Sequence, residues 1–144
     1  IYVYGGSYGG YLTAMALGRD SDIFAGGVDI HGVHDRTRYS YLNSNYYEKA
    51  SDYDLGRKTA WESSPIADID TWKSPVLIIH ADDDRNVDFR QSTDLVQRLR
   101  DKEVYMETMV IVDDTHHFMM FDNQMKVNKS TAEFLIKLSK GLIN

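Results

Sequence analysis

The chain opens on Ile1-Tyr2-Val3-Tyr4-Gly5-Gly6-Ser7-Tyr8-Gly9-Gly10-Tyr11-Leu12. The first four residues, β-branched and aromatic, read as a short buried strand, which the glycine pair breaks. Tyr8 to Leu17 then has the spacing of a helix burying Leu12, Met15 and Ala16, with Gly18 placed to end it. Inside the break lies G-x-S-x-G, Gly5 to Gly9. A serine on so tight a strand-to-helix turn sits in strained backbone, with its hydroxyl thrust clear of the sheet. Side chains two residues either side of it would collide, so Gly5 and Gly9 carry none. The first turn of the helix aims backbone N–H groups at the same point, where they can hold an oxyanion. The blander reading is an ordinary glycine-rich turn. A Walker phosphate loop is excluded, since no Gly-Lys-Ser/Thr follows.

Further along, Phe24 to Ile30 is a second apolar strand. Residues 33–62 show no clean period and are rich in Tyr, Asn, Ser and Asp, which predicts an insert of loop with a short helix or two. Pro75 opens a strand from Val76 to His80. Asp88 to Arg100 is an amphipathic helix with Phe89, Ser92, Leu95, Val96 and Leu99 inward. Val104 to Val112 is rich in β-branched residues. Val127 to Leu142 is a last helix, with Val127, Phe134, Leu138 and Leu142 on one side and lysines on the other. Strands alternating with helices predict one α/β domain over 1–144, a mostly parallel sheet with helices on both faces. Such sheets carry their chemistry at the carboxyl ends of the strands.

Composition bounds the rest. A chain of 144 residues, 42% hydrophobic and 26% charged, is neither a disordered tail nor a fibrous repeat. The net charge of −6 argues against a nucleic-acid binder, which wants a basic face. With no cysteine there is no disulfide framework and no thiolate zinc site. No apolar run approaches the roughly 18 residues of a membrane helix, and the first residues show no signal-peptide pattern. The compartment is left open.

A serine hydroxyl is a poor nucleophile until a base takes its proton, and the base needs a carboxylate to orient it. The order expected here is Ser, Asp, His, each at the end of a later strand. Asp82, Asp83 and Asp84 follow the strand ending at His80, and His116 and His117 follow the next. Taken singly, an Asp run is usually a solvated turn. Asp82, Asp84, Asn86 and Asp88 also mimic the start of a calcium loop, but Val87 stands where that loop needs Gly and Thr93 where it needs Glu. Paired histidines beside Asp113 or Asp114 suggest a metal, yet adjacent side chains on an extended segment diverge. No metal or cofactor is implied. His31, His34 and His80 read as structural or surface groups, and Trp61 and Trp72 as packing residues. Tyr39, Tyr41, Tyr46, Tyr47 and Tyr53 crowd the insert, either walling an apolar pocket or packing on their own loop.

Three stretches together carry a resemblance: Gly5-Gly6-Ser7-Tyr8-Gly9-Gly10-Tyr11, Pro75-Val76-Leu77-Ile78-Ile79-His80-Ala81-Asp82-Asp83-Asp84-Arg85-Asn86-Val87, and Asp114-Thr115-His116-His117-Phe118. Over nearly the whole chain they resemble the prolyl oligopeptidase family of serine peptidases, which includes dipeptidyl and acylaminoacyl peptidases. The resemblance implies the C-terminal half of an α/β-hydrolase fold. It implies Ser7 as nucleophile, Asp84 as acid and His116 as base, with the backbone N–H of Tyr8 as half of an oxyanion hole. It places substrate contacts at Asn86 and Val87, on a peptide substrate cleaved through an acyl-enzyme. Ala81, Asp88 and Asp114 depart from the family's usual Gly, uncharged residue and Glu, and none touches the triad.

Family members carry the N-terminal half of the hydrolase sheet, and usually a β-propeller, before the elbow. A second oxyanion donor, a tyrosine hydroxyl, is expected there. Ile1 to Tyr4 would then be an apolar sheet edge without Lys or Pro, covered by upstream chain or by a second copy in a two-fold dimer. Two other readings stand: an esterase or acyl hydrolase, because triad and elbow serve both chemistries, and a catalytically inert association fragment.

Overall fold

The apolar runs become four strands in a computed structural model that describes residues 1–38 and 47–143: β1 (Tyr2–Gly6), β2 (Gly26–Ile30), β3 (Val76–Ala81) and β4 (Met106–Ile111). They pair in the order β1-β2-β3-β4, every pair parallel. Between and after them run α1 (Tyr8–Arg19), α2 (Tyr53–Glu62), α3 (Arg90–Asp101) and α4 (Phe121–Ser139). The central strands β2 and β3 are buried along their whole length, hence their mostly apolar sequence, interrupted only by Asp29 and His80. β1 and β4 form the edges. Ile1, Tyr2 and Tyr4 are exposed along β1, and Val110 on β4. No helix among the described residues is long and apolar enough to cross a membrane.

Each sheet face has its own core. On one, Leu17 of α1, Leu95 and Leu99 of α3, and Trp72 pack over Val76 and Ile78. On the other, Val127 and Phe134 of α4 pack over Val28, Leu77 and Ile79. Leu95 and Leu99 have no exposed surface, so truncating either to Ala costs about 2–5 kcal/mol.

The α1 face differs from the sequence expectation. Leu12 is exposed and Met15 and Ala16 only half-buried, while Tyr11, Ala14 and Leu17 face inward. The strained backbone at Ser7 sets the rotation of the helix, and a count of apolar spacing does not see it. Gly18 does not end α1 either. It lies against the 3₁₀ turn Pro65–Thr71, where a Cβ would come within 3.2 Å of Asp68 and 3.3 Å of Trp72. At the other end of the chain, α4 begins at Phe121, six residues earlier than its apolar stripe suggests, and stops before Leu142, which is exposed. In the insert, α2 supplies the short helix. Tyr39, Tyr41, Tyr46 and the side chain of Tyr47 lie outside the described residues. Tyr53 packs on its own helix, its hydroxyl accepting from Arg57 at 3.3 Å. Trp72 is buried, but Trp61 is largely exposed.

A buried polar clamp ties the loop after β2 to α3. The Gln91 Oε1 accepts from the N–H groups of His34 and Asp35 at 2.9 and 2.8 Å, and its Nε2 donates to the Asp35 carbonyl at 3.0 Å. The His34 ring lies between two acceptors: the Gln91 carbonyl at 2.8 Å from Nδ1 and the Asp29 carboxylate at 2.6 Å from Nε2. Neither His34 nor Asp29 has an exposed side-chain atom. A ring facing two acceptors must donate at both nitrogens, which makes it an imidazolium. Burial opposes that charge, but the Asp29 carboxylate and the Gln91 carbonyl outweigh it and hold the His34 pKa above its usual 6.5. A raised folded-state pKa gives stability that is complete below about 6.5 and lost as pH climbs through the folded value. The urea midpoint is therefore expected to fall as pH rises above about 6.5 and through the raised His34 value. Asp29→Asn should cost about 3–5 kcal/mol at neutral pH and remove that slope, as urea unfolding read at several pH values will show.

Candidate active site

The parallel register brings the carboxyl ends of the strands to one rim, where the loops after β1, β2, β3 and β4 meet. At the end of β1, Ser7 adopts φ 56° and ψ −114°, a conformation costing about 1–3 kcal/mol for a residue with a Cβ. Its N–H is held twice, by the Ile30 carbonyl at 2.9 Å and by His31 Nδ1 at 2.9 Å, both from the end of β2. A Cβ on Gly5 would lie 2.5 Å from the carbonyl of Gly9, and one on Gly10 would lie 2.7 Å from Asp29 Oδ1. Gly9 differs: a Cβ there meets nothing within 4 Å. Close approach thus requires Gly5 and Gly10, not the Gly5 and Gly9 pair the motif suggests.

From this turn the Ser7 hydroxyl reaches His116 Nε2 at 2.9 Å, and His116 Nδ1 reaches Asp84 Oδ2 at 2.6 Å. Since a carboxylate only accepts, Nδ1 carries the proton and Nε2 is left to accept from Ser7. Asp84 is itself held on both oxygens. Its Oδ1 accepts from the N–H groups of Asn86 and Val87 at 2.9 and 2.8 Å, and His80 Nε2 lies 3.2 Å from Oδ2. Burial would raise the Asp84 pKa, but those N–H groups and the His116 ring outweigh it and hold the carboxyl below its usual range. The neighbouring aspartates do other work. Asp83 pairs with Arg85 at the surface, and Asp82 Oδ1 accepts from the Asp113 N–H at 2.9 Å.

The loop bearing His116 is pinned by Asp114, which accepts from Thr115 N–H at 2.8 Å, Met119 N–H at 2.9 Å and Asn123 Nδ2 at 2.8 Å. This carboxylate anchors the start of α4 and explains why the helix begins early. Tyr8 is the first residue of α1, where helical N–H groups lack intrahelical acceptors. A cavity of about 520 Å³ opens beside Ser7, lined by Tyr4, His31, Asn86, His116 and Phe118 among others. Asn86, where the resemblance implies a substrate contact, is among the residues lining this cavity. The Val87 side chain does not line this cavity; it is buried against Tyr11 and Val33. His117 is exposed and lines the cavity, and among the described residues no group of three or more His, Asp or Glu side chains is placed to hold a metal ion.

Three histidines read from sequence as bland structural or surface groups are buried close to this site: His31, His34 and His80. His80 accepts from the Ser92 hydroxyl at Nδ1, 2.7 Å away, and donates from Nε2 to the Val87 carbonyl at 2.9 Å. The His31 ring packs against that of His116, centroids 4.0 Å apart. The signal in sequence was position: each lies at or just beyond the carboxyl end of β2 or β3.

Comparison with known proteins places the chain in a family. The family model described as "Prolyl oligopeptidase family" matches residues 1–141, and the chain belongs to that family. It is 30% identical over 151 aligned positions to dipeptidyl aminopeptidase BIII of Pseudoxanthomonas mexicana, covering 98% of this chain and 22% of that protein. To dipeptidyl peptidase 4 of Sus scrofa it is 32% identical over 124 positions, covering 81% of this chain and 15% of that protein. The chain thus spans less than a quarter of the length of either relative. Among solved structures, dipeptidyl peptidase 4 of Porphyromonas gingivalis superposes with a TM-score of 0.82 at 23% identity, over 95% of this chain and 19% of that one. An acylaminoacyl peptidase bound to Z-Gly-Gly-Phe-chloromethyl ketone gives 0.74 at 26%, over 93% of this chain and 23% of that one. The fold is that of these α/β-hydrolase peptidases.

The unequal glycines yield a direct test of the turn. Gly5→Ala forces a clash with backbone and should destabilise by about 1–3 kcal/mol. Gly9→Ala adds a methyl in open space within a helix and should be neutral or stabilising by up to about 1 kcal/mol. Thermal unfolding of the two variants will show the difference.

Proposed function

We propose that this chain carries the reactive centre of a serine peptidase that cleaves peptide bonds through an acyl-enzyme. The observation that carries the reading is the Ser7–His116–Asp84 relay, at 2.9 and 2.6 Å, on the carboxyl rim of a parallel sheet in a prolyl oligopeptidase family chain. In this reading Ser7 Oγ attacks the substrate carbonyl carbon while its proton passes to His116 Nε2. The oxyanion forms near the Tyr8 N–H at the start of α1, and Asp84 stabilises the resulting imidazolium. Collapse of the tetrahedral species breaks the C–N bond, and His116 returns the proton to the leaving amine. Water, deprotonated by His116, then hydrolyses the ester and restores Ser7. Asn86, at the mouth of the cavity, is placed to contact the bound peptide.

Residues 1–144 are, in this reading, part of a larger hydrolase domain. The small share of each relative that they span supports it, as does the exposed apolar row Ile1, Tyr2 and Tyr4 along the outer strand. Further strands of the same domain would pair with β1 and bring the second oxyanion donor. A second copy seated on the same edge is the alternative.

Ser7→Ala and His116→Ala should each lower kcat on a peptide amide by about 10⁴- to 10⁶-fold in the full-length gene product, and the double variant should be no worse. Asp84→Asn should cost about 10⁴-fold through the wrong histidine tautomer. His117→Ala should stay within a few-fold. Full activity in Asp84→Ala would refute the assignment. Asp84, with its depressed pKa, should stay ionised through the usual carboxylate range, so its protonation should cost no rate at neutral or mildly acid pH, as a pH-rate profile will show.

A further inference from the structure

His31 is the group at this rim that the triad reading leaves without a task. It follows β2, sits at φ 42°, is 8% exposed, and puts Nδ1 2.9 Å from the backbone nitrogen of the reactive serine. That nitrogen carries a proton to donate, so Nδ1 must be bare, and the ring is neutral with its own proton on Nε2. The ring packs against that of His116, centroids 4.0 Å apart and tilted by 43°, and the Phe118 ring lies 5.3 Å from it. A Cβ on Gly6 would come within 3.3 Å of His31 Cε1, so the bare Gly6 leaves room for the imidazole against the elbow.

The geometry points to His31 as a positioning residue of the hydrolytic reaction. Its neutral imidazole fixes the strained Ser7 backbone by accepting the Ser7 N–H, and it walls the His116 ring into line with the serine hydroxyl. The inference rests on Ser7 and His116 acting as nucleophile and base. Two features support a role beyond filling space. The positive φ is unfavourable for any residue with a Cβ, and the site holds a ring nitrogen there in spite of that cost. And the same ring touches both members of the attacking pair, linking the elbow after β1 to the loop after β4.

A proton on His31 would undo the arrangement twice. Nδ1 could no longer accept from Ser7, and two cationic rings would face each other whenever His116 was also charged. The titratable groups facing the ring are His116, Asp84 and His80. Burial, then the His116 and His80 rings, push its pKa down to about 4 against the opposing pull of Asp84. His31 therefore remains an acceptor throughout the range in which a histidine base works, and fails only in stronger acid.

Two substitutions separate the acceptor from the backbone shape, because Gly and Asn both tolerate positive φ but only Asn offers an acceptor near Nδ1. The experiment uses the full-length gene product and follows the rate of Ser7 labelling by a fluorophosphonate, together with kcat and KM on a peptide amide and a thermal melt. His31→Gly should lower the labelling rate and kcat by about 10- to 100-fold with KM within a few-fold, as expected for a misplaced nucleophile. His31→Asn should restore most of that loss. Wild type should show an extra acid loss of labelling near pH 4, read in brief pH jumps, that His31→Asn lacks. Should His31→Gly not fold, the Asn variant decides: near-normal rate without the extra acid step supports the assignment, and a loss of 100-fold or more overturns it. A folded His31→Gly labelling at the wild-type rate also overturns it, while the triad reading stands. Failure of wild type to label at Ser7 would overturn the triad reading and this inference with it.

Discussion

The hydrogen bonds to the Ser7 amide are what the rest of the rim depends on. A left-handed φ at a residue with a Cβ is unfavourable, and the chain holds it by presenting two acceptors, the Ile30 carbonyl and His31 Nδ1, to one N–H. Both acceptors belong to the end of β2. They are in place because β1 and β2 pair parallel in a register that sets Gly6 against Ile30. From the same constraint follows the rotation of α1, which turns Tyr11, Ala14 and Leu17 rather than Leu12 toward the sheet. The close approach of α1 to the loop after β2 then leaves no room for side chains at Gly10 and Gly32, where a Cβ would meet Asp29 Oδ1 at 2.7 and 2.6 Å.

Much of this was legible before any coordinates. β2 and β3 announce themselves as apolar runs because both their faces are covered. The order Ser7, Asp84, His116 places three reactive groups after three strands, and the structure brings those side chains within hydrogen-bonding distance. The features that escaped share a cause, since each depends on a partner distant in sequence. Leu12 fits an inward stripe until the phase of α1 is set by Ser7. Gly18 reads as a helix stop until Trp72 and Asp68 are seen against it. The α4 start, without apolar spacing of its own, is fixed by Asp114 from the preceding loop. Val87, where the resemblance implies a substrate contact, packs its side chain on Tyr11 and Val33, residues more than fifty positions away.

The histidines show why residue type alone could not assign them. Four rings lie within a small region, and the partners at their two nitrogens separate them. His34 faces two acceptors, so it carries both protons, and its pKa is raised. His80 faces a hydroxyl and a carbonyl, so one proton suffices, and burial lowers its pKa. His31 faces an amide donor and must keep Nδ1 bare. His116 faces a carboxylate on one side and the serine hydroxyl on the other, the one arrangement of the four in which a proton arriving at Nε2 meets a ready counter-charge through Nδ1. In the proposed reaction a base must take a proton and give it back, and it needs that asymmetry.

It also needs neighbours that do not compete for the proton. Three imidazoles of similar intrinsic basicity beside one carboxylate would share a charge among them and blur the site of protonation. Here the competition is removed by hydrogen bonding. His80 is committed through Nε2–H to the Val87 carbonyl and Asp84, and His31 through Nδ1 to the Ser7 amide, so a second proton on either ring would sacrifice a buried bond. The same loop that gives Asp84 its two backbone N–H groups supplies the Val87 carbonyl to His80. Residues 84–87 thus hold the carboxylate ionised and keep a neighbouring ring neutral in one turn, as the proposed proton transfer between Ser7 and His116 requires.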